Sequence, residues 1–251
     1  MELAAELYKT TDSLHAYGFS NVSRNTLEIN VIEASDRLLG VLPVHISRKA
    51  TKVLSELGAK ILTRTIVKAV DQDGVQINND ERIEADAVIW CAGVKCHEAL
   101  NNIGGLSTNK NNQIVVDSCL RSVDDNTIYA LGDCAACELS NGGLVPPRAQ
   151  SAHQMASCVY RNISRQLKNI PPVPFTYRDH GSLVSFADYT AVGVLAGLFK
   201  SDIFVEGGIA KYLYISLYRL HQIALHGYLK TVLLVMVGRI NRRLRPTLKL
   251  H

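Results

Sequence analysis

Apolar positions recur at helical spacing from Glu2 to Leu14, where Leu3, Leu7 and Leu14 are joined by Ala4 and Ala5, so the chain is expected to open on a helix. A turn follows around Gly18. Leu27-Glu28-Ile29-Asn30-Val31-Ile32-Glu33 then alternates, becomes apolar and ends in an acid, which is strand patterning. A second helix is predicted from His45 to Leu57 and closed by Gly58. Ile61 to Val70 and Val75 to Ile77 read as β segments joined by Asp71-Gln72-Asp73-Gly74, residues suited to a hairpin turn. Ala87-Val88-Ile89-Trp90 is a continuous apolar run, predicted to be a buried strand that leads into Cys91-Ala92-Gly93-Val94. Gln113 to Asp117 gives one more short strand.

The stretch Thr127-Ile128-Tyr129-Ala130-Leu131-Gly132-Asp133 is the centre of the chain. Its first half is predicted to be a short buried strand that stops at glycine and aspartate. Glycine lets the backbone approach a ligand closely, and a carboxylate at a strand's carboxyl end can accept hydrogen bonds from sugar-like hydroxyls. Pro146-Pro147-Arg148 then introduces a helix predicted from Ala149 to Leu167, whose amino terminus favours negative charge. Pro171-Pro172-Val173-Pro174 reads as a linker. Beyond it come β-like stretches at Leu183–Phe186 and Thr190–Leu195, broken at Gly193 and Gly197. Two helical segments, Ile209–His226 and Tyr228–Leu244, are parted by Gly227.

Charge separates this tail from the rest. All 23 acidic residues lie at or before Glu206, whereas Lys211, Arg219, Lys230, Arg239, Arg242, Arg243, Arg245 and Lys249 follow it. Residues 1–206 therefore hold 19 basic against 23 acidic side chains, although the whole chain carries +4. In the last helix Leu233, Met236, Val237, Ile240 and Leu244 can share one face, with Arg239, Arg242 and Arg243 on another. His226 and Lys230 interrupt the apolar run, so no uninterrupted stretch reaches the ~18 residues of a spanning helix. A helix lying on a membrane surface is expected, each basic residue contributing about 1 kcal/mol against anionic headgroups. A core-packing or dimer helix with a solvated basic edge is the alternative. With few aromatics among the arginines and no binding motif, nucleic acid is not an expected partner.

Length and composition fit a globular protein: 251 residues, 47% hydrophobic and 20% charged, allow a substantial core and two domain-sized units. Six cysteines without a secretory signal indicate a reducing compartment. Cys134-Ala135-Ala136-Cys137 is a C-x-x-C with no second pair and no paired histidines to complete a metal site, so plain thiols are expected.

Two of these segments carry a resemblance. TIYALGDCA, Thr127–Ala135, resembles the second flavin-contacting motif of flavoproteins with two dinucleotide-binding domains, where the aspartate holds the ribityl chain of FAD. AQSAHQ, Ala149–Gln154, is similar to the quinone-site motif of type II NADH dehydrogenases, single-subunit NADH:quinone oxidoreductases that do not pump protons. In this order, before a basic amphipathic tail, the two motifs extend the resemblance over nearly the whole chain.

The resemblance implies an α/β fold: an incomplete two-dinucleotide-binding-domain, Rossmann-like flavoprotein with a C-terminal α+β membrane-associating region. Residues 1–99 would be the remainder of the NADH-binding domain, 100–168 the returning segment of the FAD-binding domain, and 169–251 the C-terminal domain. It implies that NADH reduces FAD at N5 and that two electrons then pass to a membrane quinone, the protein supplying position and charge. Gly132, Asp133, Ala149 and Gln150 would contact FAD. Glu33, at the end of the second strand of a βαβ unit, would bind the adenosine ribose and disfavour a 2′-phosphate, with Arg37 nearby softening that preference. Taken without the family, Glu33 is a solvated loop glutamate. Ala92 and Gly93 would line the nicotinamide side, or form an ordinary strand-to-loop turn. Ala149, Gln150, Ala152 and Gln154 would meet the quinone, and the two glutamines, four apart on one helical face, would donate hydrogen bonds to its carbonyl. Glu2 matches the acid after the family's nucleotide-binding glycines and would assist proton delivery, or stand in solvent as a terminal helix residue. His153 is expected to be structural. A homodimer and an anionic lipid surface, at the cytoplasmic face of a bacterial inner membrane, complete the expected partners.

The departure from the family is the glycines. A complete member has two G-x-G-x-x-G loops, and this chain has neither among its 17 glycines. MELAAELY resembles the stretch just after the second loop, so a fragment, a downstream start or a split gene is expected. Sulfide:quinone reductase, which shares the architecture and works through reactive cysteines, keeps Cys91, Cys96 and Cys137 in view. From a different class, a non-catalytic membrane-surface module is the remaining reading.

Overall fold

The computed structural model describes residues 1–16, 19, 21, 23–78, 81–140, 142–186, 190–195 and 203–244; the expected turn at Gly18, the break at Gly197, and Arg245 and Lys249 lie outside them, as do the side chains of Arg242, Arg243 and Leu244. The chain forms two compact units. One combines Met1–Ile89 with Gly181–His251, and the other is Trp90–His180.

In the first unit the opening apolar spacing forms helix α1, Glu2–Ala16, and the second predicted helix is α2, Val44–Glu56. The buried residues of α2 (Ile46, Ser47, Ala50, Val53 and Leu54) fall at helical spacing and make one inward face. Each large apolar side chain buried there contributes about 1.5–3 kcal/mol. The acid-ended segment gives β1, Asn30–Ile32, parallel to β2, Lys60–Leu62. The predicted hairpin is β3, Val67–Asp71, and β4, Gly74–Ile77, extended by β5, Arg82–Glu84.

Strands β8 (Gly181–Phe186), β9 (Thr190–Leu195) and β10 (Ile203–Glu206) form an antiparallel sheet ordered β10-β9-β8. Strand β10 was not foreseen. Val184 and Phe186 of β8, with Val192 and Val194 of β9, share one core with Ala4, Ala5 and Tyr8 of α1 and the inner face of α2. The C-terminal sheet thus packs with the first helices, in the same unit. Gly193 is required by close approach: a Cβ there would lie 2.3 Å from the Ser182 carbonyl oxygen.

The two predicted C-terminal helices are one run, α4, Gly207–Leu244, interrupted where expected by Gly227 at φ 76°, ψ 170°. A window within Gly207–Ile240 reaches a mean hydropathy of 1.5 and is only 6% buried, so this helix is long and apolar enough to cross a membrane. His226 and Lys230 do not prevent this, because a window of that length tolerates isolated charges without losing its apolar average. Leu233, Met236, Val237 and Ile240 are all exposed.

In the second unit β6, Ile114–Val115, runs parallel to β7, Ala135–Ala136. Helix α3, Ala149–Gln166, turns Ser151, Met155, Cys158, Val159 and Asn162 into a core that includes Leu120, Ala130 and Val145. Two predicted strands are not strands. Ile128–Leu131 is extended, but only Tyr129 forms a bridge, to Arg121. Ala87–Trp90 has no ladder among the described residues, and Ile89 and Trp90 are 57% and 62% exposed. An apolar run becomes a buried strand only when neighbouring strands and covering layers are present, and periodicity cannot supply them.

Candidate functional site

The chain leaves the extended segment at Leu131 and turns through Gly132 at φ +68°, a left-handed conformation that suits glycine. A Cβ on Gly132 would sit 3.4 Å from the Ala152 Cβ, so the turn rests on the first two turns of α3. The Gly132 amide also donates to Met155 Sδ at 3.1 Å. The backbone oxygen of Asp133 is held from two sides, by Gln113 Nε2 at 2.9 Å and Cys96 Sγ at 3.0 Å. The Asp133 side chain is exposed, and its carboxylate has no hydrogen-bond donor among the described residues. An anchored backbone therefore carries a solvent-exposed acceptor.

Helix α3 begins at Ala149 behind the extended N-cap residue Arg148, and no side chain caps it. Ala152 makes the first helical bond, to Arg148 O, so the amides before it form a positive terminus. Ser151 is 2% exposed, and its hydroxyl is buried without a partner. An uncapped terminus, an orphan hydroxyl and a free carboxylate acceptor suit a ligand that offers both hydroxyl and electron-rich groups.

Gln150 and Gln154 share one face of α3, as predicted, but their amides are engaged. Gln150 Nε2 donates to Asp179 Oδ1 at 3.1 Å, and its Oε1 accepts from the His180 amide at 3.0 Å. Gln154 Nε2 donates to Arg178 O at 2.8 Å, and its Oε1 accepts from the Arg178 amide at 2.9 Å. Arg148 Nη1 reaches Asp179 at 3.2 Å. Sequence reasoning missed Arg148 and Asp179. No periodicity links residue 148 to residue 179, and the segment between α3 and β8 was read only as a linker.

The remaining expected residues lie elsewhere. Ala92 and Gly93, in the same unit, are exposed; Gly93 has φ +73° with open space where a Cβ would stand. In the first unit, Glu33 at the end of β1 accepts the Ser35 amide at 2.8 Å on Oε1. It borders a cleft of about 520 Å³ with Met1, Asp36, Arg37 and Leu39. Arg37 donates to Gly40 O at 2.7 Å, and its Nε is buried without a partner. Glu2 is not a loose terminal residue: its Oε1 accepts the Ser185 amide of β8 at 2.8 Å.

The cysteines are all free thiols. Burial pushes Cys137 up to about 11, and burial first, then Cys134 and Asp133, raises Cys96. Neither resembles an activated thiolate.

These features define a class. The chain belongs to the pyridine nucleotide-disulphide oxidoreductase family, whose model matches residues 1–156. Within it, the chain is 40% identical over its whole length to the type II NADH:quinone oxidoreductase of Haemophilus influenzae, of which it spans 57%. The fold is similar to that of NDH2 from Plasmodium falciparum solved in complex with NADH, with a TM-score of 0.75 and 18% identity over 99% of this chain and 64% of that one. It is also similar to the sulfide:quinone oxidoreductase of Aquifex aeolicus, with a TM-score of 0.63 and 18% identity over 84% and 54%. The resemblance first carried by two motifs therefore extends along the chain, and the α/β fold it implied is found.

Proposed function

We propose that this chain supplies the carboxyl-terminal part of a type II NADH:quinone oxidoreductase, which moves electrons from NADH to a membrane quinone through FAD without pumping protons. The observation that carries this is the Gly132–Asp133 turn packed on the uncapped start of α3, in a chain 40% identical throughout to such an enzyme. Bound there, FAD would supply the two-electron chemistry that no side chain can. Asp133 would accept hydrogen bonds from its hydroxyls, Gly132 would let the backbone come close, and the amides from Ala149 to Ser151 would face its electron-rich edge. Gln150, Gln154 and the small residues Ala149 and Ala152 would border the quinone.

Glu33 would take the adenosine ribose of NADH in the cleft it borders, and Ala92 and Gly93 would leave room beside the nicotinamide. Glu2, held by β8, would keep a carboxylate in place for proton delivery. Helix α4 would seat the protein on an anionic membrane, at the cytoplasmic face of a bacterial inner membrane and as a homodimer. Its exposed apolar side chains enter the acyl boundary, and Lys211, Arg219, Lys230 and Arg239 meet headgroups.

The test is co-purification and turnover with the 251-residue chain on liposomes containing anionic lipid. A floating yellow fraction that oxidises NADH with a quinone supports the proposal, and Asp133→Ala is expected to lose the flavin. Flotation without flavin supports the non-catalytic membrane module instead. A cysteine mechanism like that of sulfide:quinone reductases is disfavoured by the raised thiols of Cys96 and Cys137, and turnover that survives thiol alkylation rejects it.

A further inference from the structure

The glutamine pair is oriented from outside its own helix. Four helical residues rise ~6 Å and two extended residues ~6.6 Å, so side chains four apart on a helix meet backbone groups two apart on an extended segment laid beside it. Gln150 and Gln154 meet the backbone of His180 and Arg178 in this register. A glutamine amide has two ends that exchange on rotation, and its direction is set only by unlike neighbours. For Gln154 both neighbours are backbone, the Arg178 carbonyl and amide. For Gln150 they include the His180 amide, a donor only, and the Asp179 carboxylate, an acceptor only. Asp179 is in turn held by Arg148, the N-cap residue of α3, with Nη1 at 3.2 and 3.4 Å from its two oxygens.

We infer that Asp179 is a positioning residue: braced by Arg148, it holds the Gln150 amide in one orientation, so that a ligand carbonyl at this helix face meets a donor already turned and ordered. This rests on the proposal that the face borders the quinone. Pre-orientation removes the side-chain ordering that binding would otherwise require. A carboxylate is suited to the task because it cannot donate, so it rejects the flipped amide.

The test uses the 251-residue chain with Asp179→Ala and Asp179→Asn, the latter keeping one carbonyl acceptor. In Asp179→Ala the Gln150 side-chain amide protons are expected to move to the NMR chemical shifts of a solvated glutamine, and the His180 amide to exchange about tenfold faster with deuterium. Asp179→Asn, which can accept from Gln150 but can also donate to the flipped amide, is expected to restore both only in part. The Val173 amide, held at 2.8 Å by Asn162 Oδ1, should keep its protection in both variants and so report that the unit is folded. Unchanged Gln150 resonances in Asp179→Ala, or loss of Val173 protection together with them, overturns the inference. Ubiquinone-1 added to the wild type provides the separate arm. If it leaves the Gln150 signals untouched while the variants behave as expected, the quinone reading fails and the positioning role stands; if it shifts them, its affinity should fall about tenfold in Asp179→Ala and recover only in part in Asp179→Asn.

Discussion

Asn162 is fully buried, and apart from a weak Nδ2 contact to Cys158 Sγ at 3.6 Å its hydrogen bonds are directed at two backbone segments. Its Nδ2 donates to Cys119 O at 3.1 Å and Val173 O at 3.0 Å, and its Oδ1 accepts the Val173 amide at 2.8 Å. The side chain thus completes a ladder rung for a segment that has no strand partner, and ties it to α3 next to the Phe175–Ser118 backbone bond. Asn162→Leu keeps the branched outline, adds volume and removes all three bonds. Each bond is worth about 1 kcal/mol net, and a buried amide or carbonyl left without a partner costs about 1–3 kcal/mol, so the expected loss is about 3–5 kcal/mol. The Val173 amide is the costliest orphan, because it has one proton and, among the described residues, bonds to no other acceptor. Val173 O retains a weak contact from Cys158 Sγ at 3.8 Å. Urea unfolding followed by far-UV circular dichroism measures the loss, and exchange at the Val173 amide localises it. A destabilisation below about 1 kcal/mol would refute the reasoning, since a well-packed leucine would then have replaced a fully used amide at almost no cost.

Three further outcomes are expected. Gly193→Ala would place a Cβ 2.3 Å from Ser182 O and 2.9 Å from Leu183 Cα, both backbone atoms, so the β8–β9 pairing must shift; a stability loss of about 1–3 kcal/mol in urea is expected, and an unchanged midpoint would contradict it. Asp71 is pushed down to about 2, first by the paired hydrogen bonds from Arg82 and then by the Asp73 amide. A folded value below the unfolded one means stability that is present above about pH 4 and lost as pH falls toward 2, so thermal midpoints of Asp71→Asn should lack the part of that acid limb that the parent shows. Cys137, raised to about 11, is a thiolate in only about one molecule per thousand at pH 8; iodoacetamide should therefore modify exposed Cys91 long before Cys137 in the folded chain, and equal rates would remove the burial argument.

What could be read in the sequence was what local chemistry decides. Helices α1, α2 and α3, the hairpin at Asp71–Gly74 and the break at Gly227 each follow from a period or a breaker within a few residues. The failures share one cause. Ala87–Trp90 and Ile128–Leu131 have strand composition but no strand beside them, and composition does not reveal the neighbour. At the candidate site, the helix face bearing Gln150 and Gln154 was legible because four-residue spacing puts two side chains in line. The segment that meets them was not, because Arg178, Asp179 and His180 have no pattern of their own. They are ordered by side chains of α3 rather than by a ladder, and such pairing is written in one partner only. The same logic separates the two outcomes for α4: its apolar average was visible in the sequence, and counting interruptions rather than averaging over a window hid how much apolar surface it presents. A membrane responds to that summed surface, so a helix in which a residue-by-residue count found only interrupted runs still presents a row of exposed apolar side chains to it.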